Sequence, residues 1–218
     1  SMTPRSDMDA LDIESTDGEI LEMIQETGRS RFPVYEESVD TILGILNVRD
    51  YLLDRNAGKN TALKDLLRPA YFVPETKKCS QLFTEMTERK VQIAIVLDEY
   101  GGTAGLITLE DLVEDIVGNI QDEYDHEEEG IHRMSETEFT VDGAASIDEV
   151  ADMAGVDLPE GDYDTIAGLV TERLGRLPKA GEHPQVKEAG LTITVLEVEE
   201  QRIARLLLVK DAQEEPTG

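Results

Sequence analysis

The chain has 218 residues, 39% of them hydrophobic, which is enough for more than one compact domain. It carries 48 acidic and 20 basic side chains, so its formal net charge at pH 7 is −28. Because phosphates and anionic lipid headgroups are bound through Lys and Arg, this balance argues against a nucleic-acid partner and against a membrane surface bound through a basic patch. Cys79 is the single cysteine, which rules out a disulfide within the chain.

The first part of the sequence predicts a strand, a helix, two strands and a second helix. A short strand follows a proline-interrupted entry segment, and Ser15 or Thr16 can cap a helix that runs to about Thr27. Gly28 is predicted to end that helix. The apolar residues within Phe32–Leu52 then indicate two strands and a further helix start.

Two short stretches share one pattern: a glycine, two hydrophobic residues, a Thr or Asn, and an aspartate three residues later. They are Gly44–Asp50 and Gly105–Asp111, and they lie 61 residues apart. At this spacing Phe32–Leu52 matches Ile93–Val113, and the match extends backward without a gap. The sequence therefore predicts an internal repeat with strand–helix–strand–strand–helix order in each copy.

Each repeated motif places a polar cap and an acid at the start of a helix. Thr108 at the N-cap and Asp111 three residues on can satisfy unpaired backbone N–H groups, and the open end of a helix also favours anions. Thr108 could therefore approach a phosphate while Asp111 accepts from ribose hydroxyls, or both residues could serve only as a cap. Asn47 and Asp50 hold the same places in the first repeat. An amide would contact phosphate differently, so two unequal sites are predicted, with the Thr108 site occupied.

Two arginines stand close together just before a predicted strand in this acidic chain. They are Arg29 and Arg31, and they either belong to a solvated turn or pair with phosphate, for which the guanidinium fork is suited.

Residues 114–129 are rich in acids, and His126 among them raises the question of a metal site. The spacing lacks the Asp-x-Asp-x-Asp-Gly pattern of a calcium loop, so a solvated linker is the favoured interpretation. The sequence after it predicts a small α+β domain. Its elements are a strand from Phe139, a helix capped by Ser146 and Glu149, a helix beginning at Asp164 or Thr165, and a hairpin of Leu191–Glu197 and Ile203–Val209.

Several longer stretches resemble a known family. They are Met2–Met8, Gly28–Tyr35, Ala94–Asp125 and Asp162–Pro178. Their sequences resemble those of the CorC/HlyC family, and the two repeats look like a tandem pair of CBS domains. The resemblance implies an α+β fold in which two βαββα repeats precede a small α+β transporter-associated domain. The implied boundaries are 1–67 for the first CBS domain, 68–125 for the second, 126–136 for an acidic linker, 137–211 for the transporter-associated domain and 212–218 for a disordered tail.

The resemblance also implies a function. The chain would be the regulatory cytosolic module of a magnesium and cobalt efflux protein, located at the inner face of the cell membrane. It would bind ATP or another adenine nucleotide, together with Mg²⁺, between its CBS domains, and would have no catalytic role. The implied nucleotide-binding residues are Thr108, Asp111, Arg31, Asn47, Asp50 and Gly102, the last because the Gly101-Gly102 turn lies near the ligand in the family.

The implied partners are a second copy, bound through the CBS domains, and a transmembrane transporter domain in cis or in trans. Since the sequence begins inside a family motif, it is expected to be a fragment of a longer protein. Two alternatives remain. One is FAD binding by the C-terminal domain, although no glycine-rich dinucleotide loop is visible there. The other is a structural adaptor without a ligand.

Overall fold

A computed structural model describes residues 2–123 and 130–211. The chain divides into two compact units, one made of Ser1–Lys78 and Val91–Leu112 and the other of Cys79–Lys90 and Val113–Gly218. Residues 126–129 of the predicted linker, which include His126, and the predicted tail of 212–218 lie outside the described residues. No helix within the described ranges is long and apolar enough to cross a membrane.

The first repeat contains the predicted elements in the predicted order. They are β2 (Leu11–Asp12), α1 (Asp17–Thr27), β3 (Arg31–Glu36), β4 (Ser38–Asn47) and α2 (Val48–Asn56), preceded by β1 (Thr3–Pro4) and a single 3-10 turn and followed by the short α3 (Leu63–Leu66). Thr16 forms a capping box with Glu19, and Gly28 ends α1 in the left-handed conformation with φ of 65°. Strand β3 pairs in parallel with β2 and antiparallel with β4.

The second repeat shows the same order, which confirms the predicted duplication. Its elements are β5 (Tyr71–Pro74), α4 (Cys79–Glu88), β6 (Ile93–Leu97), β7 (Thr103–Thr108) and α5 (Leu109–Glu123). The strands of this repeat form a four-stranded sheet in the order β1-β7-β6-β5. The strand that completes this sheet therefore comes from the entry segment at the other end of the first repeat.

The spacing between equivalent residues changes at the first hairpin. Val34 on β3 pairs with Gly44 on β4, whereas Val96 on β6 pairs with Gly105 on β7. The second hairpin is thus one residue shorter, and residues before it correspond at a spacing of 62 rather than 61. The prediction of a gap-free match was wrong for this part because a one-residue change in a hairpin loop leaves the hydrophobic pattern of both strands readable.

The glycine of each repeated motif is required by the approach of a neighbouring backbone. A Cβ built on Gly105 would lie 2.3 Å from the backbone oxygen of Thr3, and one on Gly44 would lie 2.7 Å from that of Arg68. No side chain fits at such distances, so glycine allows an outer segment to pair with the strand.

The second unit contains a five-stranded antiparallel sheet and two helices of its own. The strands are β8 (Ile131–Arg133), β9 (Glu138–Asp142), β10 (Gln185–Glu188), β11 (Leu191–Glu199) and β12 (Arg202–Lys210), in the order β10-β11-β12-β9-β8. The helices are α6 (Ile147–Ala154) and α7 (Ile166–Leu174). Ser146 and Glu149 form the predicted capping box. Residues 131–133, which fall inside the predicted linker, form strand β8.

Candidate nucleotide-binding site

Thr108 and Asp111 form a reciprocal cap at the start of α5. The Thr108 hydroxyl donates to Asp111 Oδ2 at 2.6 Å, and the Thr108 backbone N–H donates to the same oxygen at 2.9 Å. The Asp111 backbone N–H donates in turn to the Thr108 hydroxyl at 3.2 Å. Both side chains are partly exposed, so the helix start is open to solvent.

Thr108 also lines a cleft of about 340 Å³, which lies entirely in the first compact unit. The lining residues come from both repeats: Thr3, Asp9, Gly28, Arg29, Ser30, Arg31, Gln92, Ile93, Leu106, Thr108 and Glu110. Ile93 and Leu106 are buried and contribute an apolar wall, while the two arginines contribute positive charge. A concave site of this size that combines an apolar wall with a few polar groups is typical of small-ligand binding.

The two arginines of this cleft differ in what already binds them. Arg29 Nε donates to Asp9 Oδ2 at 2.5 Å, and this pair is partly exposed. Arg31 makes no ion pair and no side-chain hydrogen bond within residues 2–123 and 130–211. Of the two cationic side chains, Arg31 is therefore the one available to an anion.

Asn47 and Asp50 lie elsewhere. Asn47 caps α2 by accepting from the backbone N–H groups of Arg49 and Asp50. It lines a second, more open cleft of about 710 Å³, which shares the Gly28–Ser30 segment with the first. Asp50 forms an ion pair with Arg68 at 2.5 Å. The structure thus brings Arg31 and Thr108 to one cleft and places Asn47 at a second one. The inequality of the two sites stays a prediction.

Gly102 belongs to the hairpin turn between β6 and β7. Its backbone N–H donates to Asp98 Oδ1 at 2.8 Å, and a Cβ at this position would lie 3.0 Å from Asp98 and 3.2 Å from Asp40. This glycine lines neither of the two clefts. Its role as a binding residue stays a prediction, whereas its structural role in the turn is evident from these distances.

Sequence reasoning did not identify Asp9, Gln92 or Glu110 as residues of the first cleft. Gln92 lies there because its carbonyl accepts from the backbone N–H of Leu109, which holds the end of the loop before β6 against the start of α5. That contact depends on strand register, which no local pattern in the sequence reveals.

The described residues contain no candidate metal site. No group of three or more His, Cys, Asp or Glu side chains among those residues is arranged to hold an ion. The question raised by His126 concerns a residue that the structure does not describe.

Two family models match the sequence. The model of the transporter associated domain, CorC_HlyC, matches residues 132–212, and the CBS domain model matches residues 63–118. The magnesium and cobalt efflux protein CorC of Salmonella typhimurium is 40% identical over 183 residues, which cover 83% of this chain and 63% of that protein. The chain thus spans somewhat less than two thirds of this relative's length.

Solved structures also resemble the chain. The CBS domain of the bacterial CNNM/CorC family Mg²⁺ transporter, in complex with ATP, is 46% identical with a TM-score of 0.50, and the match covers 54% of this chain and 84% of that one. A CBS domain protein from Shewanella oneidensis MR-1 is 33% identical with a TM-score of 0.51, and the match covers 54% of this chain and 94% of that one. The duplicated α+β fold, the two matched domain models and these relatives together show that the chain belongs to the CorC/HlyC family.

Proposed function

We propose that this chain is the regulatory, non-catalytic module of a divalent-cation efflux protein and that it binds an adenine nucleotide in the cleft containing Arg31 and Thr108. The observation that carries the proposal is the cleft itself. It is lined by the Arg31 guanidinium, which has no ion-pair partner among the described residues, and by the capped start of α5. The name of the ATP-bound CBS relative supports the choice of ligand class. The names of the curated relatives support magnesium or cobalt as the transported ion.

The proposed binding mode assigns one part of the nucleotide to each feature. The phosphates lie near Arg31 and the N-terminal end of α5, where charge-assisted hydrogen bonds and the helix dipole favour anions. The base packs on the apolar wall of Ile93 and Leu106. Asp111 does not itself line the cleft, but its Oδ1 lies outside the cap with Thr108 and can accept from a ribose hydroxyl at the edge of the site. Mg²⁺ would bind to the phosphates, since Mg²⁺ is commonly held by substrate phosphates and water.

The proposed regulation acts through a second copy and a membrane domain. A nucleotide can change the arrangement of the module only by binding one arrangement more tightly than another. Leu21, Leu52 and Leu53 on α1 and α2 are large hydrophobic side chains with at least 40% of their surface exposed, and they suit a homodimer contact. With a net charge of −28, two such modules repel each other, and bound Mg²⁺ would lower that repulsion. The transporter domain would lie in the membrane, in cis or in trans, with this module on its cytoplasmic side.

Isothermal titration calorimetry with ATP, ADP and AMP tests the proposal. Thr108→Ile and Asp111→Ala should abolish or strongly weaken binding. Thr16→Ile is the matched control, because Thr16 caps α1 through an equivalent box but does not line the cleft. The absence of any heat from the unmodified protein with all three nucleotides would refute the proposal.

One observation favours a ligand-free structural adaptor as the second candidate. The Thr108–Asp111 cap is complete without a ligand, so the motif is fully explained by helix stability. In that case Thr108→Ile and Thr16→Ile should lower the free energy of unfolding alike, and neither should change a nucleotide titration. Flavin binding stays a prediction, which the absorbance spectrum of the purified protein tests.

A further inference from the structure

The five-stranded sheet of the second unit is buried on both faces. One face packs on α6 and α7 through a continuous apolar core. On the other face Thr140, Leu207 and Thr194 lie side by side on β9, β12 and β11, and all three are fully buried. The hydroxyls of Thr140 and Thr194 have no hydrogen-bond partner in the described part of the chain. Burying a hydroxyl without a hydrogen-bond partner costs free energy, which exposure to water would remove. In this respect the face differs from an ordinary apolar core.

Helix α4, which belongs by sequence to the second repeat, falls in this same compact unit and contacts the edge of the sheet. Among the described residues, the Phe83 ring meets the His183 ring edge-on at 5.5 Å, and Gln185 Nε2 donates to the Thr84 carbonyl at 3.1 Å. Lys187 Nζ also pairs with Glu88 at 3.1 Å. His183 is itself fixed by a 3.0 Å hydrogen bond between its Nδ1 and the Val195 carbonyl.

Strand register shows which face α4 contacts. Gln185 is paired with Thr194 and Lys187 with Thr192, so their side chains share the face that carries the threonines. Val186, between them, points into the core on the opposite face. Helix α4 therefore lies on the threonine side, opposite α6 and α7.

The equivalent helix of the first repeat is more exposed at the matching position. Gly28 and Lys90 both end their helices with positive φ, which aligns α1 with α4 at a spacing of 62 residues. Leu21 on α1 then corresponds to Phe83 on α4. Leu21 is 40% exposed, whereas Phe83 is 0% exposed. The same apolar position is thus open on one repeat and covered on the other.

We propose that the threonine-bearing face of the C-terminal sheet, with His183, Gln185 and Lys187 at its edge, is a reversible docking surface for helix α4 of the same chain. While α4 is docked on this surface, it cannot contact a second copy of the chain. The homodimer therefore forms through α1 and α2 of the first repeat. This second step rests on the proposed function, because it presumes that the CBS repeats dimerise.

The chemistry of the contact suits a surface that opens and closes. The Lys187–Glu88 pair is largely exposed, so it contributes little and is screened by salt. The unpaired hydroxyls of Thr140 and Thr194 would regain hydrogen bonds to water on opening, which offsets part of the lost apolar burial. Phe83 against His183 is the aromatic anchor that favours the closed state.

Hydrogen exchange of the full chain, followed by mass spectrometry at several protein concentrations, tests this proposal. Gln185→Glu replaces the amide donor by a carboxylate that faces the Thr84 carbonyl, so α4 amides should exchange about tenfold faster. Gln201→Glu is the matched control, since it makes the same change in the β11–β12 turn of the same sheet. In the unmodified protein, protection of α1 and α2 should rise with concentration, while that of α4 stays constant.

Two outcomes would overturn the proposal separately. Unchanged α4 exchange in Gln185→Glu, or an equal acceleration in Gln201→Glu, would show that the sheet does not hold α4. Concentration-dependent protection of α4 in the unmodified protein would show that the second repeat is not withheld. A complete lack of concentration dependence would remove the homodimer of the proposed function, yet the comparison of the two variants would still decide the docking contact.

Discussion

Replacing Arg31 by Gln should separate phosphate binding from binding of the nucleoside. Arg31 lines the cleft with no ionic partner among the described residues, so its charge is free to pair with a phosphate. A hydrogen bond to a charged group contributes about 1.5–3 kcal/mol. Because Arg31 is partly exposed, the lower half of that range applies, and Arg31→Gln should weaken ATP binding about 10- to 45-fold. Adenosine, which carries no phosphate, should bind the variant and the unmodified protein equally.

The control is the neighbouring ion pair. Arg29 is already bound to Asp9, so removing both charges together, as Asp9→Asn with Arg29→Gln, leaves the net charge of the cleft unchanged. Calorimetry with ATP and adenosine on both variants, at low and physiological salt, gives the comparison. The reasoning is refuted if Arg31→Gln binds ATP normally, if it loses adenosine to the same extent, or if the neutralised pair loses more ATP affinity than Arg31→Gln does.

Tyr51→Phe should lower the free energy of unfolding by about 1 kcal/mol at pH 7, measured by urea denaturation, because Tyr51 is fully buried and donates to Asp17 at 2.7 Å. That hydrogen bond is the main cause that lowers the pKa of Asp17, and the hydrogen bond from Arg55 is the second. The stabilisation is therefore present above the ordinary Asp pKa and disappears as pH falls through the lowered value. Gly105→Ala should destabilise the protein by about 1–3 kcal/mol, because the added Cβ would lie 2.3 Å from a backbone oxygen of β1. Gly18→Ala, whose nearest neighbouring atom would be 3.9 Å away, should instead be neutral or stabilising by up to about 1 kcal/mol in the same denaturation assay. Ser146→Ala should cost about 1 kcal/mol through loss of its capping box, read from thermal unfolding of the second unit.

Each of these expectations has a result that contradicts it. A Tyr51→Phe deficit that persists unchanged below the pKa of Asp17 would show that the hydroxyl acts without that carboxylate. Equal effects of Gly105→Ala and Gly18→Ala would show that the β1 backbone yields to a methyl group. A Ser146→Ala protein as stable as the unmodified one would mean that water caps α6 equally well.

The sequence determined the elements whose signals are local. Thr16 and Gly28 begin and end α1, and Ser146 begins α6, where capping chemistry predicts. Such contacts join residues a few positions apart, so backbone hydrogen-bonding demands fix them before any tertiary packing. The duplicated order of strands and helices was predictable for the same reason, since hydrophobic periodicity is itself local.

Tertiary structure decided what depends on residues that are distant along the chain. The sequence could not distinguish Arg29 from Arg31 by their charge, and the fold did so by placing Asp9 beside only the first within the described cleft. Leu21 on α1 and Phe83 on α4 are likewise both large and apolar. The C-terminal sheet region contacts Phe83, whereas Leu21 is exposed. Pairing across long stretches of chain is set by strand register and by which surfaces pack together, and a pattern read along the sequence does not contain that information.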